Sequence, residues 1–233
     1  MAYVFISDLH LSDRTPASNQ LFCTLLLACQ RKKIEGLYIL GDFFDAWIGD
    51  DAPGTTGRHI MDALRGATQN GLPVFLMHGN RDFLMGRRFQ KQTGCRLLRD
   101  PHVLDLYGKR TLLMHGDSLC TADVAYQRFR RWSRRWLVKQ LFLMKPVAAR
   151  EAIASRYRAT STAYTARASA DIMDVTPTEV ENIMQQHDAC QLIHGHTHQP
   201  GIHALSLEGQ PAKRIVLTDW HATGGALVYP PDG

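Results

Sequence analysis

The 233-residue sequence has few cysteines and no closely spaced pair of them. The five are Cys23, Cys29, Cys95, Cys120 and Cys190. An odd number without a Cys-x-x-Cys motif argues against a disulfide framework and against a structural zinc site. The cysteine content suits a protein of a reducing compartment instead.

Long apolar segments are also lacking. No run approaches the roughly 20 apolar residues that a membrane-spanning helix needs. Residues 3–6 resemble a strand rather than the basic and apolar regions of a signal peptide, so we expect no signal peptide. We therefore expect a cytosolic protein, or one attached to a membrane from the cytosolic side.

Charge is modest, at 21% of residues, with a formal net charge of +5. A balance this mild does not by itself indicate nucleic acid. The hydrophobic content of 45% and the chain length are ordinary for one soluble domain, or for one domain with an insertion.

Five short apolar segments each end in Asp, Asn or His, most of them beside a glycine. The polar residues that follow these segments are Asp8, His10, Asp42, Asn80, His115, His196 and His198. Strand-like and helical segments alternate up to residue 77, which predicts an α/β fold with mainly parallel central strands. Strands that direct hard ligands to one place indicate a metal site.

The donor types match a centre of two divalent ions, which lowers the pKa of a shared water and neutralises a phosphate under attack. Asp42 is the natural bridging ligand. Asp8, His10 and His198 would complete one coordination shell, and Asn80, His115 and His196 the other. Taken singly, such a His is usually a surface or core residue and such a Gly-Asp pair a turn. The combination of all five segments favours the metal site.

Residues 121–170 differ from the rest. They contain eleven Lys or Arg residues against Asp123 and Glu151, a net charge of +9, interleaved with aromatic and aliphatic side chains. The composition predicts a helical insertion, or lid, near the mouth of the site. An ordinary solvated helical hairpin and a nucleic-acid groove fit the same composition, but the aliphatic run 137–144 suits lipid better than bases.

The series of motifs resembles the calcineurin-like metallophosphoesterases. It consists of Asp8-x-His10, Gly41-Asp42-x-x-Asp45, Gly79-Asn80-x-Asp82, His115-Gly116-Asp117 and Gly195-His196-x-His198. The resemblance implies an α/β (α+β) fold in which a four-layer β-sandwich is flanked by helices. Residues 1–120 and 171–233 would form the catalytic domain, with residues 121–170 as the lid.

One position departs from many members of that family. Arg81 stands where they carry a His that protonates the leaving group, and Arg cannot act as an acid near neutral pH. With Gly79-Asn80-Arg81-Asp82 and the basic insertion, the sequence is most similar to the UDP-2,3-diacylglucosamine hydrolases of lipid A biosynthesis. This similarity implies a manganese-dependent hydrolase that yields UMP and 2,3-diacylglucosamine 1-phosphate. The partners would be the UDP-linked lipid and an anionic membrane surface, with no nucleic acid.

By the same resemblance, the catalytic residues are Asp42, Asn80, Arg81 and His196, and the substrate contacts are Asn80, Arg81, Asp123, Ser161, Thr165 and His196. Ala168, beside Arg167, occupies a position often held by Lys. Arg158 is a further candidate for binding phosphate. His78 and Asp45 are expected to orient ligands, and the remaining histidines, among them His221, to be structural or on the surface. Another two-metal phosphodiesterase or phosphatase, or a non-catalytic binding scaffold, are the alternative functions.

Overall fold

The computed structural model describes residues 2–165, 174–221 and 223–231, in which strands and helices alternate along most of the chain. Their bounds, in chain order, are β1 (Tyr3–Ile6), α1 (Pro16–Lys32), β2 (Gly36–Leu40), α2 (Gly54–Gln69), β3 (Val74–Met77), α3 (Arg87–Thr93), β4 (Arg96–Leu98), β5 (His102–Leu106), β6 (Lys109–Leu113), α4 (Val124–Ser133), α5 (Trp136–Leu143), α6 (Val147–Thr165), α7 (Pro177–Gln186), β7 (Gln191–His194), β8 (Gly201–Leu207), β9 (Gln210–Val216) and β10 (Leu227–Tyr229). Within those ranges, no helix is long and apolar enough to cross a lipid bilayer.

The first sheet contains the strands that carry the first three motifs. Its order is β10-β1-β2-β3-β4, with β1 to β4 parallel and β10 antiparallel to β1. β2 is buried along its whole length, and β1 and β3 are mostly buried. Short apolar strands of this kind are typical of a sheet that is covered on both faces.

The second sheet carries the other two motifs. Its order is β5-β6-β7-β9-β8, in which β6, β7 and β9 are parallel neighbours and β5 and β8 pair antiparallel at the edges. Strands β5 and β6 form a hairpin. Tyr107 and Gly108 form its two-residue turn with φ values of 54° and 84°, which a tight hairpin turn requires.

Alternate residues of each central strand pack into different cores. In β1, Phe5 packs between the two sheets, whereas Val4 and Ile6 pack with α1 and α2 on the outer face of the first sheet. On the far side, Leu112 of β6 packs with α7. The predicted four-layer sandwich flanked by helices is therefore confirmed.

The mainly parallel arrangement predicted from the alternation of elements is correct only for the centre of each sheet, because antiparallel strands close the edges. The sequence analysis also missed α3 and β4. With seven and three residues, they are too short to show a periodic pattern.

The described part of the insertion forms α4, α5 and α6, which we call the lid helices. Arg150 anchors α6 to the loop after β2: its guanidinium pairs with Asp51 and donates a hydrogen bond to the Ile48 carbonyl, 2.8 Å away. Arg150 is only 2% exposed. The lid helices are thus fixed against the catalytic part of the chain, although their separate functional role remains a prediction.

His78 holds the loop that follows β3. Its Nε2 donates to the Met85 carbonyl at 2.8 Å, so that its partner lies in its own loop rather than on a predicted ligand. We expected His78 to orient a ligand, but its hydrogen bond to Met85 does not support that role. Desolvation in this loop lowers the pKa of His78 to about 4.

We expect His78→Gln to flatten the pH dependence of stability, because Gln keeps an N–H for Met85 but does not titrate. With a pKa near 6.5 in the unfolded chain and about 4 in the folded one, the unfolded state binds the extra proton between these values. Above pH 6.5, His78 is neutral in both states and does not lower the stability. As the pH falls from 6.5 to 4, the free energy of unfolding decreases by about 3 kcal/mol. Denaturant unfolding of metal-free protein between pH 4.5 and 7 measures this. His203→Gln on the exposed part of β8 is the control, and equal slopes for both variants would contradict the assignment.

Candidate metal centre

The predicted ligands follow the carboxyl ends of parallel strands. Asp8 and His10 follow β1 and Asp42 follows β2, and backbone hydrogen bonds hold the two loops side by side. The Asp8 N–H donates to the Gly41 carbonyl at 3.1 Å, and the His10 N–H to the Asp42 carbonyl at 3.0 Å. In the second sheet, the Gly195 N–H donates to the His115 carbonyl at 2.9 Å. The loops that carry the ligands thus support one another.

Five of the seven predicted ligands have left-handed backbone conformations. The φ values are 55° at Asp8, 48° at His10, 48° at Asp42, 70° at His196 and 54° at His198. Each such residue costs free energy unless its surroundings compensate, and residues of this kind cluster at functional sites. These backbone conformations let the chain turn sharply at the end of each strand, so that the side chains face a common centre.

Two glycines allow the ligand loops to approach this closely. A Cβ atom at Gly79 would lie 2.1 Å from Asp42 Oδ1, and one at Gly195 would lie 2.2 Å from Asp8 Oδ2. Real Cβ atoms do not tolerate such distances. The glycines of the motifs are therefore required so that a backbone can pack against a ligand carboxylate.

One group of ligands consists of Asp8, His10 and His198, with one donor atom from each lying within 4.8 Å of the others. Asp8 Oδ2 accepts the His196 N–H at 2.8 Å. Asp8 Oδ1 is buried and accepts no hydrogen bond from a described residue; His198 Nε2 lies 3.6 Å from it. Burial opposes ionisation of Asp8, but the neighbouring imidazoles hold its pKa well below the usual range. A buried, ionised oxygen with an unfilled lone pair suits a metal ion.

The second group consists of Asp42, Asn80 and His115. His115 Nδ1 donates to the Leu40 carbonyl at 2.9 Å, which leaves Nε2 to face Asn80 Oδ1 at 3.0 Å and Asp42 Oδ1 at 3.7 Å. Burial alone would lower the pKa of His115, but Asp42 and other carboxylates raise it to about 9. A cation among these three donors would replace that proton, because imidazole nitrogen binds metal in its neutral form.

Asp42 lies between the two groups. Its Oδ1 faces His115, whereas its Oδ2 lies 4.0 Å from His10 Nε2. Each oxygen is thus directed to a different set of ligands, which is the arrangement that a bridging carboxylate needs. Carboxylate, amide and imidazole donors together fit divalent first-row ions.

His196 lies beside the second group, as expected from the sequence. Its ring centroid lies 5.0 Å from that of His115 and 6.2 Å from that of Tyr126. Desolvation, together with His115, lowers the pKa of His196 to about 4. The ring is therefore neutral at physiological pH, as a metal ligand must be. All seven predicted ligands lie on the loops at this edge of the two sheets.

Asp82 connects two of the ligand loops. Its carboxylate accepts the N–H groups of Gly79 at 2.7 Å, Phe43 at 2.7 Å and Phe44 at 3.3 Å. Burial and the nearby charge of Asp42 raise the pKa of Asp82 to about 7. The Asp of the Gly-Asn-x-Asp motif therefore positions Asn80 and Asp42 and does not bind metal itself in this geometry.

Asp117 connects the centre to the lid. Its Oδ2 accepts the Tyr126 hydroxyl at 2.6 Å, Arg130 Nε at 2.8 Å and Arg134 Nη2 at 2.8 Å. Arg134 also donates to the Gly79 carbonyl at 3.1 Å. Burial opposes ionisation of Asp117, but the two arginines hold its pKa well below the usual range. Helix α4 is thereby fastened to the loops that carry His115 and Asn80.

The sequence analysis missed one carboxylate near the centre. Asp219 Oδ2 lies 3.4 Å from His198 Nδ1 and 2.8 Å from His221 Nε2. A carboxylate on the second ring nitrogen commonly orients a metal-binding histidine. His221 is largely exposed, as expected, but also contacts this carboxylate. The sequence position of Asp219 could have indicated this role, because Asp219 follows the parallel strand β9 just as the predicted ligands follow their strands.

The predicted substrate contacts are found in different settings. Asn80 and Arg81 line a cavity beside the centre, and Arg81 Nε is buried without a hydrogen-bond partner among the described residues. Asp123 caps α4, since its Oδ1 accepts the Tyr126 N–H at 2.9 Å. Ser161 is half-buried on α6. The side chain of Thr165, and the whole of Arg167 and Ala168, lie outside the described residues.

The cavity beside Asn80 and Arg81 has a volume of about 670 Å³ and lies between the lid helices and the loops after β2 and β3. Most of its lining is apolar: Trp47, Phe83, Phe129, Val138, Phe142 and Ile153. Lys139 and Arg158 add positive charge. Asp45, expected to orient a metal ligand, instead pairs with Arg158 Nη1 at 2.6 Å.

The chain is similar to several known proteins. A family model described as calcineurin-like phosphoesterase matches residues 1–200. The UDP-2,3-diacylglucosamine hydrolase of Pseudomonas aeruginosa is 49% identical over 233 residues, which cover 100% of this chain and 97% of that protein. The enzyme of the same name from Salmonella arizonae is 47% identical over 232 residues, covering 100% of this chain and 96% of the relative. A solved archaeal phosphodiesterase superposes with a TM-score of 0.44 at 11% identity, over 94% of this chain and 84% of that one.

We expect Asp42→Ala to lower the bound metal content and to abolish hydrolysis of bis(p-nitrophenyl) phosphate, because both ligand sets lose a shared carboxylate.

Arg81→Ala should keep the metal but lower the rate about tenfold to a hundredfold, since a hydrogen bond to a charged group contributes about 1.5–3 kcal/mol. Elemental analysis and steady-state rates measure the two effects. Asp62→Ala on the exposed face of α2 is the control. Full metal content in Asp42→Ala would rule out the bridging role, and metal loss in Arg81→Ala would rule out the role given to Arg81.

Proposed function

We propose that this chain, which belongs to the calcineurin-like phosphoesterase family, hydrolyses the diphosphate bond of UDP-2,3-diacylglucosamine. The products are UMP and 2,3-diacylglucosamine 1-phosphate. Relatives named for this activity align over nearly their whole length at 47–49% identity, so no part of the chain is without a counterpart in them.

The observation that carries the proposal is the apolar cavity that opens beside the metal centre. A diacylated substrate needs a large apolar volume within reach of the diphosphate, and the cavity supplies about 670 Å³ bounded by Asn80 and Arg81 at one side. Pockets of this size and lining are typical of small-molecule sites. A phosphatase that acts on water-soluble esters would have no use for an apolar chamber in this position.

The centre supports hydrolysis by the usual chemistry of two divalent ions, which when bound supply a nucleophilic water at neutral pH and neutralise phosphate charge. The ligand set suits Mn²⁺, the ion that we propose for the native enzyme. The residues of the chain provide the rest. Arg81 presents its fixed guanidinium fork to phosphate oxygens, and Asn80 and His196 hold the diphosphate in line.

Arg81 also fits the type of bond that is broken. A phosphate monoester is the leaving group when a diphosphate is hydrolysed, and its second pKa of about 6 makes it stable without a proton. No general acid is then needed at this position, and an arginine that stabilises charge serves better than a histidine that donates a proton. Hydrolysis of an ordinary alkyl ester would lack this advantage.

The lid helices also support a peripheral membrane location. Trp136, Leu137, Leu141 and Met144 on and just after α5 are 64–80% exposed, and the exposed Arg135 and Lys145 flank them in the sequence. Apolar side chains interleaved with Lys and Arg bind the surface of anionic bilayers. We propose that α5 rests on the cytoplasmic leaflet of the inner membrane, where the lipid substrate resides.

The membrane proposal predicts that Trp136→Ser with Met144→Ser weakens binding to vesicles containing phosphatidylglycerol by about tenfold, because two large exposed apolar groups are removed. Co-sedimentation with vesicles measures the partition. Ile202→Ser is the control, since Ile202 on β8 is equally exposed, at 71%, but lies outside the lid helices. Equal binding by the double variant and the control would contradict the location of the membrane surface.

The activity is tested by the release of UMP from UDP-2,3-diacylglucosamine with and without added Mn²⁺.

We also expect Val138→Trp, which fills the apolar cavity, to reduce kcat/KM for this lipid at least tenfold more than for bis(p-nitrophenyl) phosphate. Val228→Trp, on the exposed side of β10, should affect neither. Absence of UMP release from the wild-type protein would refute the proposed function. Equal losses on both substrates in Val138→Trp would refute the role of the cavity.

A further inference from the structure

A second cavity, of about 350 Å³, lies next to the apolar one. The two share Asp45, Ala46, Ile48, Ala154 and Arg158 in their linings. The ion pair between Asp45 and Arg158 therefore stands between them. The second cavity is bounded by the loop after β1, the loop before α2 and the start of α2, and one face of α6.

The second cavity approaches the candidate metal centre along the loop after β1. Its lining includes Leu11, which directly follows His10. The Leu11 N–H donates to the Phe43 carbonyl at 3.0 Å, and the Asp45 N–H donates to the Leu11 carbonyl at 3.1 Å. The apolar cavity meets the centre at Asn80, in the other ligand group. Each cavity is thus lined by a residue that belongs to, or directly follows, one of the two ligand groups.

The linings of the two cavities differ in chemistry. Hydroxyl and carboxylate side chains make up much of the second lining: Ser12, Asp13, Thr55, Thr56, Glu151 and Ser155. Three carboxylates, those of Asp13, Asp45 and Glu151, line the same space as one arginine that is already paired, so this space disfavours additional phosphate. The exposed carboxylate of Glu151 makes no hydrogen bond or ion pair with any described residue. In dinucleotide-binding folds, a carboxylate hydrogen-bonds the ribose hydroxyls.

We propose that this second cavity binds the uridine of the substrate, with Glu151 accepting hydrogen bonds from the ribose hydroxyls. The proposal rests on the function proposed above, because it assigns the polar half of the same UDP-linked lipid. The volume of the second cavity, about 350 Å³, lies in the range of sites that bind small ligands. The acyl chains occupy the apolar cavity, the diphosphate lies at the predicted ligands, and the ion pair of Asp45 with Arg158 separates the two cavities.

The first test uses UMP as a competitive inhibitor of bis(p-nitrophenyl) phosphate hydrolysis. Ser155→Trp, which fills the second cavity, should raise the inhibition constant of UMP at least tenfold but that of inorganic phosphate less than twofold. Ala149→Trp, also exposed on α6 but not in the lining, is the matched control and should change neither. Equal inhibition constants for UMP in Ser155→Trp and in the control would overturn the proposal.

The second test examines the ribose contact. The wild-type protein should bind UMP more tightly than 2′-deoxy-UMP, and Glu151→Gln should reduce that preference about fivefold or more. Glu181→Gln, exposed on α7, is the control. An unchanged preference in Glu151→Gln would refute the role of Glu151. Release of UMP from the diacylated substrate by the wild-type protein, measured in parallel, distinguishes the two hypotheses: if UMP is released but the cavity variants behave as wild type, the function stands and the uridine site does not.

Discussion

The centre depends on how parallel strands end. Strands β1, β2 and β3 in one sheet, and β6 and β7 in the other, finish at a common edge, and residues with positive φ values follow each of them except β3. Carboxylates are consequently brought together in a nearly dry space, so that Asp82 has a pKa of about 7 through burial and the charge of Asp42. Such a concentration of negative charge and strained backbone is unfavourable by itself and is compensated when cations bind, because metal affinity is coupled to folding.

The two cavities and the candidate metal centre are built on shared loops. Loop 78–85 carries the predicted ligand Asn80 and also Phe83, which lines the apolar cavity, while Arg134 of α4 donates to the Gly79 carbonyl. The lid helices are therefore part of the same hydrogen-bonded unit as the predicted ligands. A change in the packing of α4 would reach Asn80 through the contact of Arg134 with Gly79.

Local patterns allowed the ligand loops to be predicted, because a buried strand that ends in Gly-Asp or His-Gly is visible in a few adjacent residues. The sandwich was predicted from the family resemblance, since the alternation of elements alone indicated a mainly parallel sheet. The same patterns could not give the partners of Asp117, since Arg130 and Arg134 reach it only after α4 packs against the centre. The cavities were likewise beyond prediction: they form between segments as distant as 45–48 and 153–158. Asp45 was expected to orient a ligand, but it pairs with Arg158, which lies 113 positions further along the chain.

The tether at Asp117 restricts how far the lid helices can open. Swinging α4 outward would take two guanidinium groups and a tyrosine hydroxyl away from a fully buried carboxylate, which costs about 3–5 kcal/mol when a buried pair is broken. Helix α5 has a weaker fastening, in which Lys139 donates to the Phe83 carbonyl at 2.9 Å. Opening of the apolar cavity therefore costs less at α5, which lines it with Val138 and Phe142, than at α4.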